Sequence, residues 1–199
     1  MTPEPRLPPL ARDQWDGAVV SALRHAFSEE VAGRFLATGP DAQPVPNAIS
    51  TLLHHPALAG RWLAFNNVLL WEPALDPRLR ELVVLRVAWR TQAPYEWVQH
   101  VKLARRYGIG DDEVAAIARD SLDAFPPFEA AVLSATDQLV TSQRVDDPTW
   151  RVLAERLDER QLVELVFAVG AYTCLAMAFN AFGIELEGPD EGIGLPAGG

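Results

Sequence analysis

A single cysteine, Cys174, occurs in the 199 residues, so no disulfide can close within the chain and a reducing compartment fits. Cations are scarce as well: 17 Lys and Arg against 27 Asp and Glu leave a net charge of −10. Nucleic-acid binding is disfavoured by that balance, because phosphates are neutralised by clustered Lys and Arg. Residues 4–12 are proline-rich and polar and lack the apolar centre of a secretory signal, so a cytoplasmic location is expected. No phosphate loop, dinucleotide glycine pattern or Gly-x-Ser-x-Gly turn occurs. His54 and His55 are adjacent and point in different directions, with no third ligand at metal spacing; neither zinc nor a cofactor is expected.

What the chain does have is apolar content, 49% against 22% charged, enough for one well-buried domain. Residues 165–184 carry no charge, about the length of a membrane span. Gly170, Thr173, Asn180 and Gly183 interrupt the run, and Glu164 and Glu185 flank it without a basic anchor. A buried, tightly packed helix is the reading, with Cys174 a small core residue and no membrane partner.

Helical periodicity dominates and no alternating strand stands out. Helices are expected over 13–27, 28–36, 47–54, 56–71, from Pro77 through the residues around Glu81, 94–107, 111–121, 127–141, 148–157 and 159–182. Asp76-Pro77 reads as N-cap and first-turn proline, and Gly108 as a stop. Thr38 to Pro46 reads as a loop. The expected division is an N-terminal helical extension and loop (1–46), a helical domain (47–186) and a flexible tail (187–199).

One polar constellation stands out in this apolar frame. Glu81 lies on a helix apolar around most of its axis; Glu96 follows 15 residues later and His100 another four. At i and i+4, Glu96 and His100 share a helix face, and the break at Gln92-Ala93-Pro94 lets that helix fold back on the one carrying Glu81. Two carboxyls and an imidazole so placed suit acid–base catalysis. Glu96 also stands where a glutamate caps free amides, and His100 could pair with Glu96 on a solvated face. A buried Glu81 needs a partner, for which Arg80, Arg86 and Arg90 are near in sequence.

His54-His55-Pro56, the run Leu79 to Ala88, Tyr95-Glu96-Trp97-Val98-Gln99-His100 with Ala104 and Gly108, and Asn180-Ala181-Phe182-Gly183 together resemble the carboxymuconolactone decarboxylase and alkylhydroperoxidase D-like family. The resemblance covers roughly 47–185. It implies an all-α, compact multi-helix subunit that assembles as a homo-oligomer, a trimer or hexamer, with sites near subunit interfaces. The peroxidase branch uses a glutamate, a Cys-x-x-Cys pair and a histidine; here these positions are Glu81, Ala93, Glu96 and His100. Without the thiols, dithiol peroxidase chemistry is excluded. The decarboxylase branch also lacks the cysteines. The expectation is a cofactor-independent lyase or isomerase acting on a small carboxylated or lactone-like molecule. Glu81, Glu96 and His100 would be its catalytic residues, with Glu96 completing a relay. The rivals are a non-catalytic oligomeric protein with the same residues as a structural network, and a residual hydroperoxidase using Cys174 alone. Arg86, about 140° around the helix from Glu81, is a weak candidate for binding a substrate carboxylate.

Overall fold

A computed structural model describes residues 4–39, 42 and 44–196. Parts of the expected 38–46 loop and of the 187–199 tail, and the first three residues, lie outside them. Among the described residues there are ten α-helices and no strand. They are α1 (Gly17–Ala26), α2 (Glu29–Leu36), α3 (Asn47–Leu52), α4 (Pro56–Trp71), α5 (Pro77–Arg90), α6 (Pro94–Ala104), α7 (Asp111–Ala118), α8 (Pro127–Ser142), α9 (Asp147–Ala154) and α10 (Glu159–Phe182). The chain forms two compact units, Met1–Glu72 with Ala181–Pro189, and Pro73–Asn180 with Asp190–Gly199.

In the first unit α1 packs on α4, with Val19, Ala22, Leu23 and Ala26 against Ala59 and Leu63. Gly60 permits the approach, since a Cβ there would stand 3.1 Å from the Ala22 Cα. The two histidines are structural: His54 Nε2 bonds the Pro8 carbonyl at 2.9 Å, and His55 caps α4 by accepting from the Leu58 amide. Asn67 donates its side-chain amide to the last carbonyl of α1, at Ala26.

The second unit is built around α5. Asp76 caps it at the Arg78 amide, and every residue from Leu79 to Trp89 is buried, as its all-round apolar pattern requires. The helix ends in a Schellman turn: the Ala93 amide reaches the Ala88 carbonyl, and the Gln92 amide the Trp89 carbonyl. Gln92 takes φ +49°, in the left-handed region usually left to glycine. This tight corner sends α6 back against α5, and the fold-back is what positions the site. The third helix of this core, α8, is clamped to α5 by ion pairs: Asp137 accepts from Arg86 at 2.6 Å and from Arg90 at 2.7 Å. Arg78 similarly ties Glu113, Glu129 and the Gly108 carbonyl.

Helix ends differ from the sequence reading by a few residues. The last turn expected for α6 is a 3₁₀ turn over Arg105–Tyr107, closed by Gly108 at φ +77°. Gly110, not Asp111, caps α7, because Glu113 reaches back to the Gly110 amide. Within the tail, Trp97 Nε1 donates to the Ile193 carbonyl and Lys102 pairs with Glu191.

The reading of 165–184 needs correcting. This helix is buried along one face only; Val163, Phe167, Cys174 and Met177 are exposed on the other. Cys174 is therefore a surface thiol and not a core residue. The run is long and apolar enough to span a membrane by length and composition. Its buried face packs inside the unit instead: Tyr95 meets Phe179 edge-on, and Glu164 accepts from the Ala74 and Leu75 amides.

Candidate active site

Glu81 and His100 meet. His100 Nδ1 lies 2.7 Å from Glu81 Oε2, and Arg80 Nε donates to Glu81 Oε1 at 2.8 Å. The Glu81 side chain is fully buried, so the partner it needed is Arg80, itself 2% exposed, and not Arg86 or Arg90. The Arg80 guanidinium also lies over the Tyr107 ring. Burial pushes the Glu81 carboxyl up. The charges and hydrogen bonds of His100 and Arg80 outweigh that and hold it below its ordinary value. Glu81 is therefore a fixed anion at neutral pH.

That contact sets which ring nitrogen faces the carboxylate. A carboxylate that accepts from Nδ1–H leaves Nε2 with the free lone pair. His100 is half-buried, and Nε2 makes no hydrogen bond among the described residues. Its ring stands edge-on against Tyr172 of α10, centroids 5.1 Å apart at 87°. Arg80, Glu81 and His100 thus form a chain of contacts: a cation holds a carboxylate, the carboxylate holds an imidazole, and Nε2 is left unbonded among the described residues.

Glu96 is placed differently from the sequence reading. It is 1% exposed, and neither carboxyl oxygen has a hydrogen-bond partner. It therefore completes no hydrogen-bonded relay with His100 or Glu81, and it does not cap α6, whose first amides receive no side-chain bond. Sharing a helix face with His100 was not enough, because the imidazole turns toward α5. Burial alone pushes the Glu96 carboxyl well above its ordinary value. Leaving such a group unsatisfied costs about 1–3 kcal/mol.

The sign of the resulting pH effect is fixed. Below the ordinary value of 4.5 both folded and unfolded chains carry the proton. As pH rises from there toward the raised value, only the unfolded chain ionises, so stability is lost. Each pH unit of that interval is worth about 1.4 kcal/mol, and about 1 kcal/mol moves the melting temperature of a chain this size by roughly 2–4 °C. Glu96→Gln should accordingly melt several degrees above the parent at pH 8 and close to it at pH 4. Equal melting at both pH values would show that Glu96 ionises freely in the folded state.

Arg86 is occupied by Asp137, Asp120 and the Ile117 carbonyl, so it is a structural residue and no candidate for a substrate carboxylate. The residue that sequence reasoning missed is Tyr172. It is 1% exposed, with its hydroxyl unpartnered. Burial first, then the charges of Glu81 and Glu96, raise its hydroxyl, so it stays protonated. The available signal was a tyrosine in an uncharged run, whose hydroxyl has to find a partner when buried. Nothing in the sequence tied it to His100, which lies 72 residues away.

Residues 56–138, which carry Glu81, Glu96 and His100, match the profile of the carboxymuconolactone decarboxylase family. No curated protein matches the sequence. Among solved structures, an uncharacterised peroxidase-related protein from Silicibacter sp. TM1040 is similar over 96% of this chain and 98% of its own, at TM-score 0.73 and 14% identity. An alkylhydroperoxidase AhpD core protein from Ralstonia eutropha JMP134, also peroxidase-related, covers 83% and 88%, at TM-score 0.68 and 21% identity. A cysteine-to-alanine variant of the debrominase Bmp8, solved with 2,3,4-tribromopyrrole, covers 94% of each chain, at TM-score 0.68 and 17% identity. At these identities the likeness establishes the all-helical AhpD-like fold.

Proposed function

We propose, for a chain whose residues 56–138 carry the carboxymuconolactone decarboxylase family pattern, that it is a cofactor-independent lyase or isomerase of small carboxylated or lactone-like molecules. The observation that carries this reading is the 2.7 Å contact between His100 and a fully buried Glu81. His100 Nε2 is the acid–base group, and Glu81 orients the imidazole and balances its charge when it takes a proton. Arg80 keeps Glu81 ionised. In an isomerisation, Nε2 removes a proton beside a carbonyl and returns it to a different carbon. In a decarboxylation, the carbon–carbon bond breaks, carbon dioxide leaves with the carbonyl oxygen taking up the charge, and His100 delivers the proton to carbon.

The similarity to peroxidase-related and debrominase structures does not alter the choice, because Ala93 and Glu96 stand where the peroxidase branch carries its cysteines. Incubating the protein with a panel of lactone acids, and following carbon dioxide release together with double-bond migration, tests the reading. Turnover by the parent that vanishes in His100→Gln supports it. Turnover that survives unchanged removes His100 from the chemistry.

Self-association belongs to the same proposal. The exposed face of α10, with Val163, Phe167 and Met177 each more than half exposed, is an apolar stripe at helical spacing. A second copy of the chain is the occupant expected, as a trimer or hexamer. Phe167→Glu combined with Met177→Glu should convert an oligomer to monomers in light scattering. A parent that is already monomeric at micromolar concentration would refute this part.

A further inference from the structure

Three buried oxygen atoms beside the dyad have nothing to bond to: both carboxyl oxygens of Glu96 and the hydroxyl of Tyr172. Both residues neighbour His100. Glu96 lies one turn before it on α6, and Tyr172 presents its ring edge to the imidazole at 5.1 Å. The carboxyl is near enough to Tyr172 that, were it ionised, its charge would bear on the hydroxyl. A leucine and a phenylalanine would fill the same volumes without stranding any polar atom, so packing alone does not explain this pair.

We propose that the Glu96 carboxyl and the Tyr172 hydroxyl together receive the carbonyl oxygen of the substrate, holding it by two O–H hydrogen bonds as it takes up negative charge beside His100. The inference rests on His100 being the acid–base group and assigns the rest of that site. When Nε2 removes a proton next to a carbonyl, or when carbon dioxide departs, the electron pair runs onto the carbonyl oxygen and makes an enolate. A receptor for that oxygen has to donate and must not itself be an anion. Burial supplies both conditions: it keeps the proton on Glu96, and with the Glu81 carboxylate it keeps the proton on Tyr172. A neutral carboxylic acid beside a tyrosine is a chemically sufficient pair for holding an enolate. It also gives a role to Glu96 that the dyad leaves open. The ligand class follows: a small, planar molecule with a carbonyl oxygen conjugated to the reacting carbon.

A nitrophenol tests this without turnover, since its ionised form is coloured and carries its charge on an oxygen in a planar conjugated frame. On the parent protein the bound phenol should ionise at least tenfold more readily than free in solution, read as an absorbance titration. Tyr172→Phe and Glu96→Leu should each lose about tenfold of that preference. Glu96→Gln retains a neutral N–H donor and should keep most of it, which also guards against a variant that fails to fold. His100→Gln should still bind and ionise the phenol while losing turnover, so that failure of the oxygen receptor and failure of the acid–base reading are separable. A phenol that does not bind at millimolar concentration, that binds with its ordinary ionisation, or that keeps its preference in both Tyr172→Phe and Glu96→Leu overturns the proposal.

Discussion

Replacing His100 by glutamine should lower turnover by about 10²- to 10⁴-fold, the range that a positioned proton-transfer group contributes. Melting temperature should fall less than in a Glu81 variant, because Arg80 still holds the Glu81 carboxylate when the imidazole is gone. Glu81→Gln should differ in kind. The amide keeps the size of the carboxyl but removes the charge that the buried Arg80 guanidinium pairs with at 2.8 Å, and breaking a buried pair costs roughly 3–5 kcal/mol. Activity should therefore fall in both variants, and stability far more in Glu81→Gln than in His100→Gln. The parent's pH response carries the same signature. A carboxyl held below its ordinary value adds stability above about pH 4.5 and loses it as pH falls through the lowered value. Kinetics and thermal melting of the two variants at pH 7 check this. Glu81→Gln with full stability would mean that Arg80 does not depend on it.

Asp137→Ala should give the other large effect, on stability without chemistry. Asp137 accepts four hydrogen bonds, two from Arg86 and two from Arg90, and Arg86 is 1% exposed. Burial raises the Asp137 carboxyl, but the two guanidiniums outweigh it and hold it below 3.8. Removing it leaves a buried cation with Asp120 and one carbonyl as partners. Because Asp120 remains, the cost should fall toward the lower end of roughly 3–5 kcal/mol, or about 6–12 °C of melting temperature. Neither Arg86 nor Asp137 contacts the Glu81–His100 pair, so turnover per folded molecule at low temperature should match the parent. The loss should shrink on acidification through Asp137's lowered value, where the parent surrenders the same stabilisation. Calorimetry between pH 3 and 7 measures it.

Much of this was legible from the chain alone. The run Leu79 to Trp89 is apolar around most of its axis, and a helix of that kind has to be a core element. Asp76-Pro77 and Pro94 marked helix starts because capping and proline geometry are local effects. Glu81 and His100 could be paired from the short break between their helices. Side-chain direction could not be read so. Glu96 and His100 share a face by spacing, yet the imidazole turns to α5 and Glu96 is left without a bond. Contacts between distant helices were invisible for the same reason. Asp137 and Tyr172 lie 51 and 72 residues from the groups they meet, and no local rule reaches that far. The uncharged run of α10 misled in another way. An apolar face turned to solvent and one turned to a core have the same composition, so Cys174 was read as buried.

Nitrogen NMR of the imidazole at position 100, taken in its neutral form, addresses the underlying geometry without any substrate. With Glu81 intact the ring proton should sit on Nδ1 and the lone pair on Nε2, and Glu81→Gln should abolish that bias. A proton resident on Nε2 in the parent would leave no lone pair on the unbonded nitrogen, and the proposed chemistry would have no group to perform it.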